Sequence, residues 1–367
     1  MISLSFVKKE LQTMDSGNIV VFTASGQEME LVNKKLPELR PGEILVQNHY
    51  TTICGSDLHT FCGLRKEKTP TVLGHEIVGK VVKISDAHSG NDYSGAPLRQ
   101  GDVVTWSIFS ANDQSDMAQR GMPQKSENVF KYGHALVTDD DCFHGGLAEY
   151  TILKPNTAVL KLPEEVPLPV AATINCAVAT VAGALRLAGE LTHKTVLITG
   201  MGLLGVVCAA MCRVAGAAKI IAADIDELRL QQAISFGVNQ THLLQHQSID
   251  TPIDVVFDMS GAPTAMEAGI EALGVGGVAV WVGAVFKNRK IEIDAEQIIR
   301  RLITIRGLHN YNYDDFANAV AFISEHHRSF PFEQIVAKEF SLPEAEQAFQ
   351  YALTHKPLRV GIRINHL

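Results

Sequence analysis

The sequence predicts an α/β chain in two parts: a β-rich N-terminal domain, and a doubly wound parallel sheet inserted before a C-terminal piece that returns to the first part. Three observations carry this. Residues 195–224 read strand, glycine turn, apolar helix, strand. Strands and helices then keep alternating, the pattern of a parallel sheet covered on both faces. Before residue 152 the chain instead shows short β-type segments separated by polar and glycine-rich stretches.

In order along the chain, residues 18–50 are short β segments ending in the strand-like Ile44 to Asn48. Val72 to Ile84 holds Gly74-His75-Glu76 and then alternating apolar residues, a loop running into a strand. Residues 85–100 are a polar surface loop, and Gly101 to Val104 resumes strand character. Ser110 to Tyr132 is polar and without periodicity, a surface excursion. Gly145 to Ile152 returns to strand, and Pro163, Pro167 and Pro169 precede an Ala-rich helix from Val170 to Leu187. After the glycine unit come a strand (Asp254–Asp258), a helix (Thr264–Leu273) and a strand (Val278–Val282). Two helices (Asp314–His326, Leu342–Thr354) and a last strand (Val360–Ile364) close the chain.

The glycine unit carries a chemical reading. Gly200 permits a tight turn out of the strand, Gly202 lets the backbone approach a pyrophosphate, and Gly205 lets helix and strand pack closely. The helix beginning at Leu203 and Leu204 offers free N–H groups and a positive dipole end to phosphates. Asp224, nineteen residues after the last glycine, is placed to accept from an adenosine ribose. That favours NAD, because a 2′-phosphate would be repelled, although Arg229 lies near enough to leave NADP open.

The bulk numbers exclude other classes. A formal charge of −8 argues against nucleic acid or an anionic membrane as the main partner. No apolar run approaches membrane-spanning length, and Met1 to Glu10 lacks the apolar stretch of a leader, so a cytoplasmic protein is expected. Six irregularly spaced cysteines do not form a disulfide framework. Cys208 and Cys212, four apart on an apolar helix, read as core packing.

Three potential metal ligands stand out: Cys54 in Thr-Ile-Cys-Gly-Ser-Asp-Leu-His59, His75, and Cys176 in Asn-Cys-Ala. Two thiolates and an imidazole suit zinc and leave one position open. Taken singly, each also reads as an ordinary packing or loop residue.

Cys54 with Gly55 to His59, Gly74-His75-Glu76, Cys176 with Thr180, and the Gly200 fingerprint together resemble the medium-chain, zinc-dependent alcohol dehydrogenase family. The likeness covers nearly the whole chain. It implies a GroES-like catalytic domain (1–176 and 307–367) and a Rossmann NAD-binding domain (177–306), with the active site between them. Cys54, His75 and Cys176 would hold one catalytic zinc, with Glu76 behind it and Asp57 orienting His75 through its other ring nitrogen. Ser56 and His59 would form a proton relay, and nicotinamide would pack near Thr180, Val282, Gly283 and Ala284. The stretches Asn175 to Gly183, Gly121 to Lys125 and Lys131 to His134 are similar to a subgroup associated with phosphonate catabolism.

Two departures matter. Family members with a structural zinc carry four cysteines in a lobe; here those positions fall at Asn112, Ser115, Ala118 and Ser126, so a structural zinc is expected to be absent. Gly55 replaces a basic residue that contacts cofactor phosphates in some members, and Arg363 is the candidate to supply that charge.

The implied reaction is reversible NAD-linked oxidation of a small alcohol to an aldehyde or ketone, with zinc as Lewis acid. The alternatives are a polyol or sugar dehydrogenase, a dehydrogenase of a phosphonate-bearing alcohol, and a catalytically silent nucleotide-binding protein. Trp106, Phe109 and Phe61 are candidates for an apolar substrate wall, and Lys131, His134 and His144 for a polar one. A homodimer or homotetramer is expected, with Val275 to Val285 at the joining edge.

Overall fold

This computed structural model describes residues 15–244 and 251–365, so the reading of the first ten residues as leaderless lies outside the described part. The β-rich part supplies β1 (Ser16–Val21), β2 (Glu30–Lys35), β3 (Ile44–Thr52), α1 (Gly55–Phe61), β4 (Glu76–Ile84) and β5 (Val103–Ser110). It continues with the single turn α2 (Asp116–Gln119), β6 (Phe130–Lys131), β7 (Tyr150–Leu153) and β8 (Thr157–Lys161). Helices α3 (Leu168–Ala171) and α4 (Ala179–Ala188) follow, joined by a π turn over Ile174–Val178. Then come β9 (Thr195–Thr199), α5 (Leu203–Val214), β10 (Lys219–Asp224), α6 (Glu227–Ile234), β11 (Gln240–Leu243), β12 (Ile253–Asp258) and α7 (Pro263–Ala272). The chain ends with β13 (Leu273–Trp281), α8 (Ala295–Arg300), β14 (Thr304–Gly307), α9 (Tyr313–His326), β15 (Val336–Ser341), α10 (Ala345–His355) and β16 (Arg359–Arg363).

Strand β3 runs four residues further than expected, through His49, Tyr50, Thr51 and Thr52. The polar run hides the strand in the sequence, yet the sheet satisfies it: Asn48 donates to the Ala148 carbonyl at 2.8 Å and Thr51 to the Glu76 carbonyl at 2.8 Å. β3 lies at the centre of a largely antiparallel sheet ordered β15-β16-β3-β4-β5-β6, with β7 added to β3 and β8 to β5. The C-terminal strand thus returns to the first domain.

The second sheet is ordered β11-β10-β9-β12-β13-β14, and every pairing is parallel. This is the doubly wound order, and its connections reverse direction between β9 and β12. Ligands of such sheets bind in the crevice beyond the strand ends at that point. The turn at Gly200 leaves β9 there.

Two expectations need correction. The 21-residue helical run Leu168 to Ala188 holds an 18-residue stretch of mean hydropathy 1.7, so an apolar segment of membrane-spanning length does exist. Of that stretch 72% is buried inside this chain, because its apolar sides pack against the parallel sheet and α9. Val275 to Val285 is not the outer edge of the parallel sheet, since β13 pairs on both sides and β14 is the outer strand. Exposed apolar side chains do gather nearby, at Val275, Ile299 and Leu302.

A candidate metal centre and the Gly200 turn

Three separate elements bring Cys54, His75 and Cys176 together. Cys54 lies two residues beyond the end of β3 and caps α1, where Asp57 accepts from its backbone N–H at 3.1 Å. His75 precedes β4, which pairs with β3 as Thr52 opposite Glu76. Cys176 sits at the middle of the π turn, where the Val178 N–H reaches back five residues to the Thr173 carbonyl at 3.2 Å. Such a widened turn re-aims a side chain within an otherwise regular helix. One ligand atom from each residue lies within 4.8 Å of the others, and the two sulfurs are 3.9 Å apart. Tetrahedral zinc with thiolate bonds of about 2.3 Å asks for sulfurs about 3.8 Å apart, so the pair fits with little movement.

The surroundings orient these ligands. Asp57 Oδ1 lies 3.2 Å from His75 Nδ1, which leaves Nε2 facing the cysteines with Ser56 Oγ at 3.5 Å. Burial pushes the His75 pKa down, but the Asp57 carboxylate outweighs it and holds the ring well above its ordinary value. The hydrogen bond shared with Cys176 holds the Cys54 thiol well below the usual range, helped by Arg359. The same contact, with burial, lifts Cys176. One thiolate is therefore favoured by the protein alone, and a divalent cation would bring down the second.

Behind the sulfurs, Glu76 is fully buried. Its carboxylate accepts from Arg359 Nε and Nη2, each at 2.7 Å, and from Thr52 Oγ1 at 2.5 Å. Burial lifts the Glu76 carboxyl and Arg359 acts against that lift.

The Gly200 turn has the shape its glycines require. Gly200 has φ +89°, and an added Cβ would meet Ser260 N at 2.8 Å. A Cβ on Gly205 would strike the Gly200 carbonyl. At Gly202 an added Cβ would meet nothing within 4 Å, and no side chain caps α5 there, so its first N–H groups open onto free space. That is a cradle for a phosphate.

The sequence is matched over residues 40–164 by the model of the alcohol dehydrogenase GroES-like domain, and over residues 204–325 by that of the zinc-binding dehydrogenases. The chain belongs to the medium-chain, zinc-dependent alcohol dehydrogenase family. A probable D-xylulose reductase A of Aspergillus clavatus is 28% identical over 353 residues, 91% of this chain and 93% of that one. An L-threonine 3-dehydrogenase of Pyrococcus horikoshii is 28% identical over 303 residues, 79% of this chain and 82% of the other. The crystal structure of an alcohol dehydrogenase from Thermotoga maritima shares the fold, with TM-score 0.90, 23% identity, and coverage of 95% and 100%.

For a zinc dehydrogenase of this family, several predicted residues sit differently from their expected places. Arg363 is corrected first. Its guanidinium pairs with Glu339, Nη2 to Oε1 at 2.9 Å, and lies over the Tyr50 ring. Strand register explains this: β16 runs against β3 with Gly361 opposite Thr52 and Arg363 opposite Tyr50. Continuing that register sets Arg359 opposite Cys54, and Arg363 about 13 Å further along the strand. Arg359 Nη2 is 3.8 Å from Cys54 Sγ. Arg359 is not among the residues expected from the sequence, although it lies four along the strand from Arg363 and so on the same face.

Asp224 does more than wait for a ribose. It accepts from the N–H groups of Met201 at 2.5 Å, Ile225 at 2.7 Å and Asp226 at 3.0 Å, tying the glycine turn to the end of β10. Arg229 donates to the Lys356 carbonyl at 3.2 Å, across to the C-terminal piece. Thr180 lies in the first turn of α4, and Val282, Gly283 and Ala284 follow β13, where Gly283 packs directly on Gly261. His59 stands edge-on to Phe286, ring centroids 4.9 Å apart, and burial lowers its pKa.

The proposed substrate wall is also corrected. Trp106 and Phe109 are wholly buried and Phe61 nearly so, each inside a hydrophobic core. The cleft beside β13, about 710 Å³, is lined instead by Trp281, Val282, Ala284, Phe286, Lys125 and His309. His144 is core as well, with both ring nitrogens buried and unpartnered.

Proposed function

We propose that this chain oxidises an alcohol reversibly to an aldehyde or ketone with NAD, using one zinc held by Cys54, His75 and Cys176. The convergence of those three donors from the start of α1, the loop before β4 and the π turn carries the reading. Bound there, zinc would supply Lewis acidity at the open fourth position, and NAD would supply the hydride acceptor.

The chain's own residues do the rest. Asp57 keeps His75 turned so that Nε2 faces the cysteines. Ser56 Oγ, 3.5 Å from that nitrogen, is placed to accept the proton of an alcohol hydroxyl. His59, one turn further along α1, has a lowered pKa and is neutral near pH 7, so a ring nitrogen is free to take the proton onward. Arg359 confines Glu76 and adds positive charge beside Cys54. Gly202 and the first amides of α5 receive the pyrophosphate, and the Asp224 carboxylate disfavours a 2′-phosphate.

The positions that hold a structural zinc in some relatives are closed here by hydrogen bonds. Ser115 Oγ contacts Ser126 Oγ at 2.8 Å and accepts from Ala118 N at 3.2 Å, while Asn112 Oδ1 accepts from Gln114 N at 3.0 Å. This supports one zinc per chain. A dimer or tetramer would cover Val275, Ile299 and Leu302 at the β13–β14 side, and a cytoplasmic setting would keep the six free thiols reduced.

The test is elemental analysis of purified protein together with titration of NADH fluorescence. One zinc per chain and saturable NADH binding are expected, followed by NAD-dependent turnover in an alcohol screen. A metal-free, fully folded protein that still turns over alcohols would overturn the assignment.

A further inference from the structure

The π turn that aims Cys176 leaves one carbonyl without its regular donor. In an α-helix the Ala179 N–H would bond to the Asn175 carbonyl, four residues back. Here it reaches the carbonyls of Ile174 and Cys176 instead. Asn175 is fully buried, so that oxygen needs a donor from elsewhere in the fold. Tyr311 provides it. From the segment between β14 and α9, its hydroxyl donates to the Asn175 carbonyl and accepts from the Ile108 N–H of β5 at 2.9 Å. The ring is buried as well and packs on Phe109 and Phe316, with centroids 6.0 and 6.3 Å away, which fixes where the hydroxyl points. The Asn175 side chain makes a second tie: its Oδ1 accepts from the Ile77 N–H at 3.4 Å, two residues past His75 on β4. The residue before Cys176 is thus fastened to both β4 and β5.

Such fastening matters because the two turn geometries aim the sulfur differently. Relaxing to an α turn would rotate the residues on one side by up to about 100°, the angle of one residue, and carry Cys176 Sγ away from its partners. Zinc asks for sulfurs about 3.8 Å apart, and Cys176 Sγ stands 3.9 Å from Cys54 Sγ. We propose that Tyr311, aided by the Asn175 side chain, is a positioning residue for the zinc site: it keeps the π turn open and so sets the aim of Cys176. This rests on the zinc reading of Cys54, His75 and Cys176. Tyr313 marks the contrast. Its hydroxyl also joins two backbone groups, accepting from the Ala111 N–H at 3.1 Å and donating to the Asn156 carbonyl at 2.8 Å, and its ring stacks on Phe109. Neither of those backbone partners belongs to the π turn.

The experiment compares full-length wild type with Tyr311→Phe, Asn175→Ala and Tyr313→Phe. Zinc affinity is read by competition with a chromophoric chelator, and the ligand set from the sulfur-to-metal charge-transfer band of the cobalt-loaded proteins. Tyr311→Phe keeps the ring packing and removes only the hydroxyl. Its zinc affinity should fall on the order of tenfold or more, the usual effect of losing a group that orients a metal ligand. Its cobalt band should drop from that of two thiolates toward that of one. Asn175→Ala should move both readings the same way, and Tyr313→Phe should leave both at the wild-type values. Urea midpoints do not decide, since either tyrosine change strands two backbone groups. Unchanged zinc affinity and cobalt band in Tyr311→Phe, or equal losses in Tyr313→Phe, would overturn the role. Should Tyr311→Phe fail to fold, Asn175→Ala decides by the same two readings, its Nδ2 having no partner to lose among the described residues. Wild type that takes up neither metal would overturn the zinc reading and this inference with it, a result distinct from tight zinc binding by wild type and Tyr311→Phe alike, which overturns the inference alone.

Discussion

Arg359 and Glu76 form a bidentate ion pair directly behind Cys54, Nε to Oε2 and Nη2 to Oε1 both at 2.7 Å. Strand β16 supplies one partner and β4 the other, so the pair staples the returning C-terminus to the sheet that carries the site. Removing one member leaves a buried, uncompensated charge. Arg359→Ala should cost about 3–5 kcal/mol, whereas Arg359→Lys, keeping charge but losing the fork, should cost less. Urea denaturation of the zinc-loaded proteins measures both; equal stability of Arg359→Ala and wild type would refute the structural role.

Cys54→Ser should lower zinc content from one per chain to near zero and abolish turnover. NADH binding should persist, because the Gly200 turn and β10 do not depend on the metal centre. Elemental analysis and fluorescence titration on one preparation separate the two effects.

The lobe around α2 should behave as a metal-independent unit. Ser126→Ala removes the partner of Ser115 and should cost about 1 kcal/mol, seen as faster tryptic cleavage at the exposed Arg120. Chelator treatment of wild type should leave that cleavage rate unchanged; acceleration by the chelator would reveal a metal in the lobe.

Stability should fall as pH drops from 7 toward 4. Burial pushes the His144 pKa down to about 4 from 6.5, with Lys154 and His134 adding to it and Asp141 opposing. The unfolded chain then binds a proton that the folded chain refuses between those values, so folding weakens with falling pH across that window. At about 1.4 kcal/mol per unit, the upper bound is about 3.5 kcal/mol. His144→Phe should flatten the Tm profile between pH 4.5 and 6.5, and an unchanged profile would remove His144 from the account.

Asp224→Ser should weaken NADH binding and narrow its advantage over NADPH. Three backbone amides lose their acceptor, and the charge that repels a 2′-phosphate is gone. Parallel titrations with both nucleotides read the two effects; an unaltered NADH-to-NADPH ratio would show that Asp224 serves the turn alone.

Much of this protein was legible because the relevant signals are local. The order strand, Gly200-x-Gly202-x-x-Gly205, helix, Asp224 determined the nucleotide unit, since tight turns, close packing and helix ends are decided within a few residues. The types of Cys54, His75 and Cys176 determined which metal chemistry was available. Tertiary structure alone decided what lies 3–5 Å from those groups. Which of Arg359 and Arg363 reaches the centre depends on the register of β16 against β3, and strand parity is the same for both. Whether Trp106 and Phe109 line a pocket or fill a core depends on which sheet face is covered, and an aromatic residue suits either. The meeting of Lys125 with His309 joins residues 184 apart in the sequence. No local pattern encodes such a meeting, because charge acts through space while sequence records only order along the chain.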